Sequence, residues 1–93
     1  MIRRRPSTQT LTIFRLLVQQ GESWTHAYEL SQTTGIPQGT LSPMLRRFET
    51  LGYLEARWEM TRLGPPRKRV RLSLEGYQFF RKLAAESRAK PQP

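Results

Sequence analysis

The sequence lacks most of the residues that catalysis, metal binding and membrane insertion require. It has no cysteine, which excludes disulfides, thiolate zinc sites and cysteine nucleophiles. His26 is its single histidine, and the seven acidic residues show no spacing typical of a triad, an acid–base pair or a metal cluster. Its apolar runs, such as Leu16-Leu17-Val18, are far shorter than the ~20 residues of a membrane span. We therefore expect a cytoplasmic, non-enzymatic protein without cofactor or metal.

Acidic residues are few beside the basic ones. Sixteen lysines and arginines give the 93-residue chain a formal net charge of +9, and a chain of this length has room for one domain with a single small core. A basic surface attracts polyanions, so nucleic acid is the first candidate partner and an anionic membrane surface the second. The alternative is that the charge only keeps the protein soluble.

Three helices are predicted in the first half of the chain. Apolar residues recur at helical spacing over residues 8–20, and Gly21 supplies a left-handed end. A shorter helix, capped by Thr25, extends to about Thr34. A third helix covers about residues 39–51, after a turn that contains a proline and a glycine. The second and third helices, joined by this short turn, are typical of a helix-turn-helix pair.

The third helix separates an apolar stripe from a polar face. Leu41, Leu45 and Phe48 recur at i, i+4 and i+7 and are expected to point inward. Pro43 is expected in the first turn, where the amide that proline lacks has no partner within the helix. The residues left on the polar side or its flanks are Gln38, Thr40, Ser42, Pro43, Arg46 and Arg47.

Alternation of polar and apolar residues replaces helical spacing after the third helix. Residues 53–59 and 69–72 alternate as strands do and predict a hairpin. The connection over residues 60–68 is too long for a tight turn and is expected to project as a loop. Ser73 then caps a fourth helix with a broad apolar stripe. The order of elements predicts an α+β, mainly α, winged helix-turn-helix fold, in which the third helix enters the DNA major groove and the hairpin forms the wing.

The basic residues are concentrated where such a fold meets DNA. Six of the sixteen lie within residues 57–71, and the three consecutive bases after the Gly-Pro-Pro sequence are costly to hold together without a partner anion. Arg46 and Arg47 can meet guanine edges or phosphates, unless their helix face is merely solvated. We predict DNA contacts for Gln38, Thr40, Ser42, Pro43, Arg46 and Arg47 of the third helix, for Arg62, Arg67, Lys68 and Arg69 of the wing, and for Arg3, Arg4 and Arg5 of the N-terminal arm.

Three segments, in order and at matching spacing, resemble motifs of the PadR family of winged-helix transcriptional regulators. In that family a Gly-Tyr-Glu-Leu segment opens the second helix, a Tyr-Pro-x-Leu-x-x-Leu-Glu-x-x-Gly segment forms the recognition helix, and an Arg-Lys-x-Tyr-x-Leu-Thr-x-x-Gly segment joins the wing to the last helix. The matching stretches here are residues 26–30, 40–54 and 67–76. The chain departs from the family at Ala27, where glycine is usual, at Ser42, where a tyrosine precedes the proline, and at Val70, where an aromatic residue is common.

The resemblance spans about residues 8–85 and implies a regulator of transcription that binds duplex DNA, first of all a repressor on a promoter operator. Small members of the family dimerise through the first and last helices, and a two-fold dimer uses a palindromic operator. The dimer interface is assigned to Phe14, Tyr77, Phe80 and Leu83, unless this apolar stripe only completes the core. We divide the chain into a flexible basic arm (1–6), the winged-helix domain (7–88) and a tail (89–93). A bacterial, phage or plasmid origin follows from the resemblance alone.

Three other functions fit the sequence. The same domain can be an accessory or architectural DNA-binding factor of a phage or plasmid, or an interaction module whose basic surface meets an acidic protein. Membrane-surface binding requires the aromatic residues of the fourth helix to be unburied. Trp24, Trp58 and Met60 suggest a ligand pocket, but packing in the core or wing is favoured, and no small-molecule effector is identified. His26 is expected in the first turn of the second helix.

Overall fold

Four helices and a two-stranded hairpin follow one another in the predicted order. The computed structural model describes residues 8–89. The elements are α1 (Thr8–Gln20), α2 (Ala27–Thr34), α3 (Gln38–Thr50), β1 (Leu54–Glu59), β2 (Arg67–Leu72) and α4 (Leu74–Ala89). This arrangement is the predicted mainly α, winged helix-turn-helix fold. None of the helices in the described part is long and apolar enough to cross a bilayer.

Glycines end the first two helices, as predicted. Gly21 and Gly35 have φ values of 60° and 78°, a left-handed conformation that residues with a Cβ rarely adopt. The start of α2 differs from the prediction, because His26 rather than Thr25 is its N-cap. The His26 Nδ1 accepts a hydrogen bond from the Glu29 amide at 3.3 Å. Thr25 is buried and pairs with a strand instead, so α2 begins later than the prediction placed it.

A proline lies inside α3. The amide of Leu41 donates to the Pro37 carbonyl at 2.9 Å, so the helix begins at Gln38. The prediction that Pro43 lies in the first turn is therefore wrong, because it is the sixth residue of α3. At that position proline removes one interior hydrogen bond, the one to the carbonyl of Gly39.

The wing is the antiparallel hairpin of β1 and β2, and β2 has a second partner. Glu59 lies opposite Arg67 at the outer end of the hairpin, so β2 begins two residues earlier than predicted and the loop is confined to residues 60–66. On the other edge of β2, Val70 and Thr25 exchange two backbone hydrogen bonds, of 2.8 and 2.9 Å. The connector between α1 and α2 thus adds one residue, Thr25, as a further backbone partner beside β2 at the base of the wing.

Phe14 of α1 lies at the centre of the core. It is fully buried, and its ring centroid lies 4.8–6.3 Å from those of Phe48, Tyr53, Phe79 and Phe80, which joins α1, α3 and α4. Apart from Phe14, the buried apolar residues of the described chain are Ile13, Leu17, Leu30, Ile36, Leu41, Leu45, Phe48, Leu54 and Val70. The prediction that Phe14 contributes to a dimer interface is wrong, because its side chain is enclosed by the chain's own core.

The first turn of α4 is held against the turn between α3 and β1. The Ser73 hydroxyl donates to the Gly52 carbonyl at 2.5 Å and accepts from the Gly76 amide at 3.0 Å, which confirms Ser73 as the cap of α4. A Cβ on Gly76 would collide with the carbonyl oxygen of Tyr53, so glycine is required for this close approach. The end of the wing and the end of α3 are therefore fixed relative to each other.

Candidate nucleic-acid interface

The outward side of α3 carries the two arginines predicted to contact DNA. Arg46 and Arg47 are exposed together with Pro43, on the side opposite the buried leucines. Neither arginine forms an ion pair with another part of the described chain. Gly39 lies on the same side, and apart from its chain neighbours and the adjacent backbone of α3 no atom of the described residues lies within 4 Å of the place its Cβ would occupy. Two unpaired cations and a bare stretch of backbone therefore share one face, which a phosphate or a base edge can approach closely.

The other predicted α3 residues lie on its two flanks. Glu49 contacts the wing, and Ser42 precedes it by seven residues, or about two helical turns, so Ser42 lies on the flank that adjoins the wing. Gln38 is exposed on the same flank, whereas Ser42 is half-buried. Thr40 is exposed on the opposite flank. The predicted residues thus surround the outward face on both sides rather than form one line.

The outer face of the wing carries paired charges. Residues opposite each other in the register share a face of the hairpin. Arg71 Nε donates to Glu55 Oε1 at 2.8 Å, and Arg69 binds Glu59 Oε1 through Nε and Nη2 at 2.9 and 2.8 Å. These pairs neutralise part of the positive charge that the sequence concentrates in the wing.

Trp24 covers part of this outer face. Its ring centroid lies 4.5 Å from the guanidinium carbon of Arg57 and 4.4 Å from that of Arg71, which are cation–π distances. The side chain is half-buried. Packing in the wing, the interpretation favoured from the sequence, is what the structure shows for Trp24.

The inner face of the wing is turned toward α3. Lys68 Nζ lies 2.5 Å from Glu49 Oε1 and 5.9 Å from the centroid of the Trp58 ring. Trp58 lies in β1 as expected. It is 65% exposed and outside the core, and its described ring contact is with Lys68 of the wing. The Glu49–Lys68 ion pair connects the wing directly to α3.

The structure corrects the argument that residues 67–69 bind phosphate together because they are consecutive bases without a counter-charge. These residues lie in β2, where alternate side chains point to opposite faces. Lys68 and Arg69 each have a carboxylate partner, so they are not bases without a counter-charge. Arg67 is exposed and, like Arg62 in the loop, has no ion-pair partner within residues 8–89. Arg62 and Arg67 are therefore the unpaired cations of the wing's outer end.

The wing tip, residues 60–66, is closed by one side chain. The Thr61 hydroxyl donates to the Gly64 carbonyl at 2.7 Å. Leu63 is 100% exposed and Met60 is 79% exposed. The expectation that Met60 packs in the core or wing is therefore wrong, and the outer end of the wing is apolar as well as basic.

The remaining residues predicted for a dimer interface lie on α4. Tyr77 is 43% exposed, with the Arg81 guanidinium carbon 6.0 Å from its ring centroid. Phe80 and Leu83 are half-buried, and Leu83 lines an open groove between α1, α3 and α4. Tyr77 therefore has the accessible surface that contact with a second chain needs. The predicted arm residues Arg3, Arg4 and Arg5 lie outside the described residues.

Sequence reasoning missed three contributors to this surface. The spacing of α3 gave no reason to pair Glu49 with the wing, because the partner lies on another element. Gly39 was predicted at the junction of the turn and the third helix and was not counted among the DNA contacts, although it lies on the outward side of α3. Leu63 had a signal that was not used, since it is an apolar residue between an arginine and a glycine in a loop.

Over residues 8–89, no three side chains of the metal-ligating types come together.

The part of the chain that contains the helix-turn-helix of α2 and α3 matches a known family. The model of the IclR helix-turn-helix domain matches residues 8–57, more than half of the chain. The chain belongs to the IclR helix-turn-helix domain family. The matched residues of this IclR-type domain include α1, α2, α3 and part of β1. No curated protein matches the chain significantly in sequence.

Solved structures similar to this IclR-type domain include several PadR-family regulators. A PadR-like transcription factor from Bacteroides fragilis is 25% identical with a TM-score of 0.71, over 82% of this chain and 79% of that one. A PadR family transcriptional regulator from Eggerthella lenta is 29% identical with a TM-score of 0.70, over 86% and 74%. The predicted resemblance to the PadR family is confirmed, and the chain is a DNA-binding regulator of the winged-helix type.

One similar structure contains DNA. Bacillus subtilis PadR, solved in complex with operator DNA, is 14% identical with a TM-score of 0.69. The match covers 95% of this chain and 50% of that one, so this chain spans about half the length of that protein. At this identity the likeness shows a shared fold.

Proposed function

We propose that the chain binds duplex DNA as a homodimer and represses transcription from a palindromic operator. The observation that carries the proposal is the outward face of α3, where Arg46 and Arg47 have no carboxylate partner in the described chain and stand beside the bare backbone of Gly39. A helix face of this kind fits the major groove, where arginine can bind the two acceptors of guanine.

The residues of α3 are proposed to have different roles in DNA recognition. Arg46 binds a guanine, and Arg47 supports it from the next position of the same face. The short polar side chains on the flanks contact neighbouring base edges. Pro43 packs against the same base edges and, because its ring has no hydrogen-bonding group, leaves their donors and acceptors to the polar side chains. The flanking residues are Gln38, Thr40 and Ser42.

The wing is proposed to hold the phosphate backbone beside the site of α3. Arg62 and Arg67 are exposed and unpaired, so they can bind phosphate without losing an internal partner. Lys68 and Arg69 bind phosphate only by exchanging a carboxylate for it, which lowers the gain from each contact. The arm of residues 1–6 is proposed to enter the minor groove.

The dimer and the repressor role have separate support. A homodimer is supported by the exposed ring of Tyr77 on α4 and by the resemblance to small PadR members. Operator binding is supported by the structure of Bacillus subtilis PadR with operator DNA. Repression is the simplest outcome of binding at a promoter. A dimer with two-fold symmetry predicts an operator with two half-sites about one helical turn apart.

A genome-fragment binding selection with the purified chain tests the proposal. We expect one enriched palindrome at about 150 mM salt, because specific binding outlasts the salt-sensitive non-specific part. Uniform retention of fragments that collapses as salt rises would contradict operator recognition. No retention at all would contradict DNA binding and favour an acidic protein as the partner.

Two arginine substitutions separate base contact from phosphate contact. Arg46→Ala is expected to cost ~1–3 kcal/mol of operator binding and to relax sequence preference, as loss of a bidentate base contact does. Arg67→Ala is expected to weaken binding to all sequences alike and to reduce the salt slope by about one unit. Arg15→Ala, which removes an exposed arginine of α1, is the matched control. Fluorescence anisotropy with operator and random duplexes measures all three, and equal losses on both duplexes for Arg46→Ala would remove it from the base contacts.

A further inference from the structure

The wing tip exposes more apolar surface than a solvated loop needs. Leu63 is completely exposed, Met60 is 79% exposed, and Pro65 and Pro66 are exposed beside them. Four of the seven residues 60–66 are therefore apolar side chains in contact with water. Single exposed apolar residues are common, but a group of them on one short projection marks a binding surface.

The tip has a defined shape. The Thr61 hydroxyl donates to the Gly64 carbonyl at 2.7 Å and lies 3.2 Å from the Pro65 carbonyl oxygen, which closes the loop around Leu63. Pro65 and Pro66 have restricted φ angles, so the return to β2 is stiff. Leu63 is consequently presented at the end of the wing with little further ordering required on binding.

Positive charge accompanies this apolar surface. Arg62 precedes Leu63, and Arg67 is the first residue of β2; both are exposed and have no ion-pair partner in the described part of the chain. The nearby carboxylate of Glu59 is already bound by Arg69. The tip therefore combines apolar surface with two unpaired positive charges, which favours an occupant that offers negative charge next to an apolar slot.

The minor groove of DNA offers this combination. Phosphates line both its edges, and an apolar wedge such as leucine, methionine or proline can enter between two stacked base pairs. The wing reaches DNA next to the groove that α3 occupies, so the tip adjoins the interface already proposed. Pyrimidine–purine steps open at the lowest cost, which makes a TA or CA step the expected site.

We propose that the wing tip inserts Leu63 between two base pairs in the minor groove and bends the DNA that α3 binds. This inference rests on the proposed DNA-binding function and extends it, because a bent operator is an architectural effect in addition to occupancy. Arg62 and Arg67 hold the phosphates on both sides of the opened step, and Met60 covers the exposed base edge.

The bend angle of the selected operator tests this proposal. Fluorescence energy transfer between the two ends of the duplex measures the angle with the full chain, with Leu63→Ser and with Leu74→Ser. Leu74 is an exposed leucine at the start of α4, beyond the end of β2 that lies away from the tip, so its substitution is a matched control. We expect the wild-type chain to bend the duplex by roughly 20–90°. Leu63→Ser is expected to retain the operator and to reduce the angle by at least half, whereas Leu74→Ser leaves the angle unchanged.

A base analogue reports the opened step directly. 2-Aminopurine placed at successive positions beside each half-site should brighten at one step with the wild-type chain and not with Leu63→Ser, because unstacking relieves its quenching. Specific binding by the wild-type chain without a bend, or with the same bend for Leu63→Ser, would overturn the wedge and leave DNA binding intact. Failure of the wild-type chain to retain any fragment would overturn both. Loss of self-association or of binding to anionic vesicles in Leu63→Ser, with bending unchanged, would assign the tip to a protein or membrane and overturn the wedge.

Discussion

Gly76 and Gly39 are both helical glycines, but they meet opposite surroundings. A Cβ on Gly76 would collide with the Tyr53 carbonyl and lie 2.9 Å from Leu72 Cδ2, whereas a Cβ on Gly39 would meet open space. The same amino acid therefore serves two purposes. At Gly76 it permits α4 to approach the turn before β1, and at Gly39 it leaves the backbone of α3 uncovered.

This contrast gives a prediction for stability. Gly76→Ala is expected to lower the free energy of unfolding by about 1–3 kcal/mol, because the backbone of Tyr53 cannot move aside without disturbing the packing of α4. Gly39→Ala is the matched control and is expected to raise it by about 0.5–1 kcal/mol, because alanine restricts the unfolded chain and favours the helix. Urea denaturation followed by circular dichroism measures both. Equal stability of Gly76→Ala and the wild type would mean that α4 does not press against this turn.

Among the elements, α3 and the wing are joined by the Glu49–Lys68 ion pair. In the free protein this pair keeps one base of the wing away from an external phosphate. The Glu49 carboxylate also places negative charge on the flank of α3 that adjoins the wing. The pair therefore opposes DNA binding electrostatically, while it holds together the two elements that are proposed to face DNA.

Glu49→Gln separates these two effects. If the electrostatic effect dominates, the variant binds any duplex about five-fold more tightly at 150 mM salt, the gain from one further phosphate contact, and its salt slope steepens by about one unit. We expect this result, because the pair is partly exposed and contributes little to positioning. Glu86→Gln on α4 is the control for charge alone. Salt titrations by fluorescence anisotropy measure the slopes, and weaker binding by Glu49→Gln would show that positioning dominates.

The elements that the sequence predicts well are those with local signals. The first three helices lie close to their predicted bounds because each combines an apolar stripe with a glycine or proline at one of its ends. The start of β2 was missed, because Pro65-Pro66 and consecutive bases are typical of loops and only pairing with β1 makes Arg67 a strand residue. The pairing of Thr25 with Val70 has no local signal, since it depends on how the connector packs against the wing.

The residues of the candidate site also divide into those that local sequence signals predict and those that depend on tertiary contacts. The exposure of Arg46 and Arg47 was predictable, because their spacing from the leucines of α3 places them on the opposite side. The partners of Lys68 and Arg69 were not, because they depend on the register of the hairpin and on its angle to α3. Local spacing thus predicts which side chains are exposed, and tertiary contacts decide which charges remain unpaired.

For the whole molecule, the distribution of charge matters more than its sum. The net charge of +9 includes bases of the wing that already have carboxylate partners. Within residues 8–89, the cations without an ion-pair partner on the proposed DNA side are Arg46, Arg47, Arg62 and Arg67. Each chain therefore offers a limited set of phosphate contacts, and a dimer doubles that set without adding residues.

The dimer gives a prediction at this scale. Tyr77→Ser is expected to shift the chain toward the monomer and to weaken binding to the palindrome more than to a single half-site, because it removes the aromatic surface of α4. Tyr28→Ser is a matched control, since Tyr28 is 58% exposed on α2. Sedimentation velocity over a concentration series measures the association. A wild-type chain that sediments as a monomer, or a Tyr77→Ser variant that dimerises equally well, would contradict the assigned interface.

The bridge between Thr25 and Val70 also gives the two ends of the wing different timescales of motion. At its base, β2 is hydrogen-bonded through its backbone on both edges, by β1 and by the connector, whereas at its outer end the described backbone pairing is with β1 alone. The base can open only when the packed core opens, while the outer end can twist on the nanosecond-to-microsecond scale of loop motions. If α3 and the wing tip bind adjacent grooves as proposed, the base of the wing and α3 act as one slower unit and the wing tip as a faster one. Binding to the two grooves then becomes two successive events, in which the slower unit sets the register and the wing tip samples positions within it.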